Sequence, residues 1–295
     1  MSATGGQWYP FGYGDEELQR LREQHRVWQE ENQRLLNRAG FGQGNTLVDL
    51  GCGPGFTTLD LARRVGPMGR IIAVDRDGER SIPRLREAAD AAGFGHVEAR
   101  VADLEHFDLP SESVDGVYGR WVLMYLPEQE ARALATRIAK WLRPGGACAL
   151  AEFCNYRHIR IYPPIEHFEL VAEALMRAAA GERGGNPEIG CVLPGVLDGA
   201  GLDVELGVVT KAIRPATQEW RWPDTLFRQL LPMLVDKGRL AGEILDDFVA
   251  EWDERSRDPS AVFFSSPVLE VIGRRPGGRH NKRVNQTKPV QDFRT

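Results

Sequence analysis

The sequence predicts an α/β fold built on a parallel sheet. Two observations carry that prediction. From residue 46 to residue 153 short apolar runs alternate with helical stretches, and an acidic residue stands in or at the end of each of the first three runs. The chain has 295 residues, 42% of them hydrophobic and 27% charged, enough to bury one large α/β core with additions.

The elements follow in order. Asp15 can cap a helix running to Arg38, with Leu18, Leu21, Leu35 and Leu36 as its apolar positions, and Gly40 and Gly42 end it. Strands are expected at Thr46 to Leu50, Arg70 to Val74, His96 to Val101, Val114 to Gly119 and Ala147 to Phe153. Helices fall between them at Thr57 to Val65, Arg80 to Ala92 and Glu128 to Leu142, with Arg143-Pro144-Gly145-Gly146 as a turn. Right-handed crossovers follow from that alternation. After Phe153 the rhythm changes: a helical stretch from Ile165 to Ala180 and a glycine-rich loop read as an insertion, not as another βαβ repeat. Leu202 to Ile213 alternates like a strand, Gln218 to Trp252 is helical with breaks at Pro223, Pro232 and Gly238, and Ala261 to Gly273 reads as a closing strand.

The chemistry concentrates after the first strand, in Val48-Asp49-Leu50-Gly51-Cys52-Gly53-Pro54-Gly55. A glycine-rich strand-to-helix turn lets backbone N–H groups approach a ligand, which alone fits many nucleotide sites. A dinucleotide GxGxxG fingerprint would put glycine where Phe56 stands, and no GxxxxGK[ST] lysine follows. Asp49, two positions before the first glycine, would repel a diphosphate but not a cation such as a sulfonium. Asp75 ends the second strand, where a carboxylate can accept both ribose hydroxyls, and Asp103 ends the third, where it can accept from an adenine amine. Each alone could be a helix cap or a surface acid. Together they mark the carboxyl edge of the sheet, where open α/β folds bind ligands.

On these residues, and on Ser113-Val114-Asp115-Gly116-Val117-Tyr118 and Leu142-Arg143-Pro144-Gly145-Gly146, the chain from Asp15 to Arg275 resembles the class I S-adenosylmethionine-dependent methyltransferases of small-molecule type. The resemblance implies a Rossmann-like, doubly wound sheet of seven strands, mostly parallel with an antiparallel last strand, plus an N-terminal helix and helical insertions. It also implies S-adenosylmethionine as cofactor. Carried over by position, Gly51, Gly53 and Gly55 face its methionine part, Asp75 the ribose, Arg76 the adenosine flank, and Ala102, Asp103 and Leu104 the adenine; Asp49 joins the cofactor residues on its charge. Arg120 departs from the common pattern, since many relatives have a small or amide residue there. It is either a bidentate clamp on the cofactor carboxylate or an ion pair at the core edge.

The resemblance places the acceptor between the N-terminal helix and the insertions. His158 and His167 are the candidate general bases, each also readable as a surface or hydrogen-bonded histidine, and Tyr13, Tyr125 and Glu152 are rivals. Tyr9, Phe11 and Tyr13 form either a lid or an anchor, with Gln24 in reach. Trp220, Trp222, Phe227 and Met233 suit the acceptor site, an oligomer contact or the core. The expected organisation is a lid and helix over 1–40, a methyltransferase domain over 41–275 with insertions at about 154–200 and 216–256, and a disordered basic tail over 276–295.

These readings converge on methyl transfer to O, N or C of a small metabolite of the kind found in secondary metabolism. A peptide or protein acceptor, or a cofactor-binding protein without methyl transfer, is the alternative. The formal net charge of -5 and the missing Asn/Asp-Pro-Pro-Tyr/Phe motif, replaced by Gly119-Arg120-Trp121-Val122, argue against nucleic acid. No run of about 18 apolar residues and no secretory start appear, so no membrane partner and a cytoplasmic location are expected. Cys52, Cys148, Cys154 and Cys191 form no CxxC pair, and no metal is expected. A homo-oligomer is left open.

Overall fold

A computed structural model describes residues 12, 14–154, 156–181 and 184–277; the lid aromatics Tyr9, Phe11 and Tyr13 and nearly all of the basic tail lie outside them. Along the chain run α1 (Asp15–Val27), α2 (Gln29–Ala39), β1 (Thr46–Leu50), α3 (Phe56–Val65), β2 (Arg70–Asp75), α4 (Ser81–Ala91), β3 (Val97–Val101) and β4 (Val114–Arg120). There follow α5 (Glu128–Trp141), β5 (Leu142–Phe153), β6 (Arg160–Tyr162), α6 (Phe168–Ala180), α7 (Ile189–Gly199), β7 (Asp203–Val209) and β8 (Ala212–Ile213). The last elements are α8 (Arg221–Asp236), α9 (Gly242–Arg257), β9 (Val262–Phe264) and β10 (Val268–Arg274).

Seven strands form one sheet in the order β3-β2-β1-β4-β5-β10-β7, and β10 alone runs antiparallel to its neighbours. The Rossmann-like arrangement expected from the sequence is therefore present. Its central strands are buried on both faces, as their continuous apolar runs require: Leu47, Val48 and Leu50 in β1, and Ile71, Ala73 and Val74 in β2, are shielded from solvent. Because β1 pairs with β2 on one side and β4 on the other, the strand order reverses beside β1. That crevice is where ligands enter such sheets.

Several expectations are corrected. The helix expected from Asp15 to Arg38 is two helices that meet at Trp28, whose φ of -101° and ψ of 10° leave the helical region while its ring sinks between Trp121 and Trp222, 5.4 Å from each. Gly14, not Asp15, is the N-cap, and Asp15 instead pairs with Arg84 at 2.6 Å. Arg143-Pro144-Gly145-Gly146 is a bulge inside β5, where the pairing with β4 jumps from Val114–Leu142 to Gly116–Ala147. The expected insertion is interrupted by α7, which packs on β5, β7 and β10 and so completes a parallel crossover from β5 to β7.

The two late strands also differ from expectation. Both switch sheets. The 202–213 run leaves the large sheet after Val209, and its partner run enters it at Val268; β6, β9 and β8 form a separate antiparallel sheet. The switch is pinned at Lys211 and Ser265, which exchange two hydrogen bonds, Lys211 N–H to Ser265 Oγ at 2.9 Å and Ser265 N–H to the Lys211 carbonyl at 2.9 Å, with the Ser265 side chain buried. Alternation in sequence runs straight through such a crossing, which is why it read as one strand. Pro223 sits in the first turn of α8, where a missing N–H costs nothing, and Pro232 lies inside α8 without ending it; the break comes at Gly238, with φ of +64°.

Candidate cofactor and acceptor site

Gly51 follows β1 at φ +62°, and a Cβ there would lie 2.3 Å from Val122 Cγ2, so only glycine lets the loop pass under the end of β4. Gly55 caps α3 at φ +91°, and a Cβ there would lie 2.4 Å from Leu85 Cδ1. Between them Gly53 N–H donates to Asp75 at 2.9 Å, which ties the loop to the end of β2. Ala102 N–H in turn donates to the Asp75 carbonyl, setting the end of β3 beside it.

One cavity opens over these strand ends. Its wall includes Asp49, Gly51, Gly53, Asp75, Arg76, Ala102, Asp103, Leu104 and Arg120. Of the cofactor residues expected from sequence only Gly55 does not line it, because its free face packs on Leu85. Arg76 lies 3.6 Å from Asp103 across the rim.

The cavity is acidic at its floor. Asp49 is buried, and burial pushes its carboxyl up to about 7, against the Thr58 hydroxyl that donates to it at 2.6 Å and the positive charge of Arg120. Burial also raises Asp75, against N–H donation from Asp77 and Gly53. A buried and a half-buried acid at one floor favour a cationic guest.

Arg120 closes the other end. One guanidinium nitrogen donates to Thr57 Oγ1 at 3.2 Å and lies 3.4 Å from His25 Nδ1, while Nη1 is buried with no partner. Asp60 stands 3.3 Å from His25 Nε2. Both Thr57 and Phe56 belong to the first turn of α3, whose N-terminus carries partial positive charge. An orphaned guanidinium nitrogen beside a helix N-terminus is fitted to a carboxylate.

The face of α1 completes the wall. Gly14, Glu17, Leu18, Leu21, Gln24 and His25 recur at helical spacing and all line the cavity, as does Arg20. Sequence inspection singled out only the leucines and Gln24 of this stripe; Glu17, Arg20 and His25 share its period and were the available signal. From β4 and β5 come Trp121 and Phe153, stacked at 5.0 Å, and from the insertions Leu175, Trp222, Leu226 and Leu230. Trp121 holds φ of +52°, a strained value for a bulky residue and one concentrated at ligand sites.

The two candidate bases are not brought to this cavity. His158 is exposed on the turn that leads from β5 into β6, since the chain leaves the large sheet there to build the small one. His167 precedes α6 and faces Asp247 of α9 at 3.7 Å, while the α6 residue that reaches the cavity is Leu175, about two turns on. Glu152 lies behind the wall. Its Oε1 accepts from Val122 and Leu123 N–H, both at 2.8 Å, Oε2 has no partner, and burial raises the carboxyl to about 7. Tyr125 lines the cavity. In the α8–α9 core Trp220 stacks on Trp252 and Phe227 meets Trp252 edge to face, whereas Trp222 reaches the cavity. Among the described residues no helix is long and apolar enough to cross a membrane.

A family model described as a methyltransferase domain matches residues 47–146. Over 116 residues the chain is 34% identical to phosphoethanolamine N-methyltransferase 1 of Triticum aestivum, covering 39% of this chain and 22% of that one. Over 122 residues it is 36% identical to trans-aconitate 2-methyltransferase of Azoarcus sp. (strain BH72), covering 41% and 44%. The chain thus spans less than half the length of the curated relatives it matches. Geranyl diphosphate C-methyltransferase from Streptomyces coelicolor A3(2), solved with Mg2+, geranyl-S-thiolodiphosphate and S-adenosyl-L-homocysteine, shares the fold with a TM-score of 0.51 at 20% identity, covering 85% of this chain and 77% of that one. Residues 47–146 thus match a methyltransferase domain model, and the seven-stranded sheet with its glycine loop is the arrangement that the resemblance to class I S-adenosylmethionine-dependent methyltransferases implies.

Proposed function

We propose that this protein transfers a methyl group from S-adenosylmethionine to an oxygen, nitrogen or carbon atom of a small metabolite. Bound in the cavity, the cofactor would supply an electrophilic methyl on a sulfonium, the carbon–sulfur electron pair staying on sulfur as an electron pair of the acceptor atom (a lone pair of O or N, a π or carbanionic pair of C) bonds to the methyl carbon. Asp75 would hold the ribose hydroxyls, Ala102, Asp103 and Leu104 the adenine edge, and Arg76 its flank. Asp49 supplies negative charge near the sulfonium, and Arg120 with the first turn of α3 holds the carboxylate. The carrying observation is the buried, unpartnered Arg120 Nη1 at one end of a cavity whose floor is Asp49 and Asp75.

The relatives differ in acceptor, phosphoethanolamine in one and trans-aconitate in another, so the acceptor is read from the cavity. Walls from α1, α6 and α8 support a small molecule over a peptide, which needs an open groove. Alignment of acceptor and methyl is the main task of the protein; a base is needed only where the acceptor must shed a proton. Calorimetry with S-adenosylhomocysteine tests the cofactor half directly. Micromolar binding that Asp75→Ala and Arg120→Ala each weaken is expected, and absence of binding to the unaltered chain overturns the proposal.

A further inference from the structure

Among the described residues, the α1 side of the cavity carries an ion pair between Glu17 and Arg20. Arg20 Nε and Nη2 donate to the two carboxylate oxygens of Glu17 at 2.7 and 2.6 Å, and Nη1 donates to Gln24 Oε1 at 2.8 Å. Gln229 donates to Glu17 at 3.3 Å from α8, and Trp222 Nε1 donates to Gln24 at 3.3 Å. Glu17 and Arg20 are 2% and 3% exposed, so this bidentate pair is desolvated. The same cavity is lined by Tyr125, Phe153, Leu175, Trp222, Leu226 and Leu230, all uncharged.

We infer that the acceptor is an uncharged, largely apolar molecule with a flat or branched hydrocarbon body, recognised by burial against α6 and α8. This inference rests on the proposed methyl transfer. A phosphate or carboxylate entering this half would need a cation, and the guanidinium that lines it is already matched by Glu17 in charge and geometry. An ammonium would meet the reverse obstacle. Moving either charge against apolar walls without a partner is costly, so a charged acceptor is rejected by desolvation and not by size. A neutral acceptor leaves the pair intact, and the aromatic walls supply contact area at little entropic cost.

The test uses three naphthalene probes of similar shape, 1-naphthol, 1-naphthyl phosphate and 1-naphthylmethylamine, titrated calorimetrically into the full chain saturated with S-adenosylhomocysteine. The expected result is that naphthol binds at least about tenfold more tightly than either charged probe, and that Leu226→Glu removes this binding while leaving that of S-adenosylhomocysteine. Glu17→Gln leaves the Arg20 charge unmatched and is expected to raise the affinity for naphthyl phosphate severalfold; melting temperature reports whether that variant folds, and Leu226→Glu stands as the independent variant. Equal or tighter binding of a charged probe overturns the inference, and so does failure of naphthol to bind. Failure of S-adenosylhomocysteine itself to bind overturns the reading of the cofactor half instead.

Discussion

His25 Nδ1 lies 3.4 Å from a guanidinium nitrogen of Arg120. A guanidinium only donates, so in this contact Nδ1 accepts and the ring proton sits on Nε2, which lies 3.3 Å from Asp60 Oδ2 without hydrogen-bond geometry. The ring, stacked 5.8 Å from Phe56, therefore holds Arg120 in place from a helix outside the sheet.

Arg120→Ala is expected to weaken S-adenosylhomocysteine binding by about tenfold to a hundredfold, the size of a lost charge-assisted bond of about 1.5–3 kcal/mol. His25→Phe keeps the stack on Phe56 but loses both polar contacts, so it should cost only a few-fold. His25→Gln, which can accept from Arg120 and donate to Asp60, should recover most of it. Calorimetry on the three variants checks the order; equal losses for His25→Phe and His25→Gln count against the positioning role.

Asp49 links binding to pH. Its carboxyl is raised from 3.8 to about 7, chiefly by burial, so it is protonated in much of the folded population below neutrality. Preference for the cationic S-adenosylmethionine over neutral S-adenosylhomocysteine should grow as pH rises from 6 to 8, by about tenfold or less. Asp49→Asn should flatten that profile.

Glu152 gives a stability signature. Its folded pKa is raised from 4.5 to about 7 by burial, so the folded state binds more protons than the unfolded one between those values. Its contribution is fully present below pH 4.5 and is lost as pH rises through about 7. Glu152→Gln keeps an acceptor for Val122 and Leu123 N–H without the charge. The variant should match the parent at pH 5 and melt a few degrees higher at pH 8, as read by thermal denaturation.

The two loop glycines should fail differently. Gly51→Ala puts a methyl 2.3 Å from Val122 at the cavity wall and is expected to abolish cofactor binding. Gly55→Ala strikes Leu85, away from the cavity, and should mainly lower the melting temperature, by about 1–3 kcal/mol of stability. Adding Leu85→Ala makes room and should restore part of the lost stability in Gly55→Ala only.

The sheet and the cofactor side were legible because their signals are local. Asp49, Asp75 and Asp103 are fixed by position on strands, and strands declare themselves through apolar runs. What stayed hidden depends on distance in sequence. The Lys211–Ser265 crossing joins residues far apart in the chain, and alternation continues through both. His158 and His167 follow β5 closely in sequence, but direction out of the sheet decides what reaches the cavity, and the chain turns there into β6. Trp28 splits a helix for tertiary reasons: its ring is worth about 3–5 kcal/mol of packing, more than the helical geometry it interrupts.

Because α1 supplies Glu17, Arg20, Gln24 and His25, the family-matched stretch 47–146 is only part of a binding site. A fragment cut at residue 46 would keep every strand-end carboxylate yet leave the crevice roofless, its apolar edge wet and Arg120 without its histidine. Conversely, exchanging side chains along one stripe of α1 resculpts the chamber while the sheet beneath goes untouched. Such a division lets a single donor platform be refitted to new guests by repainting one helix.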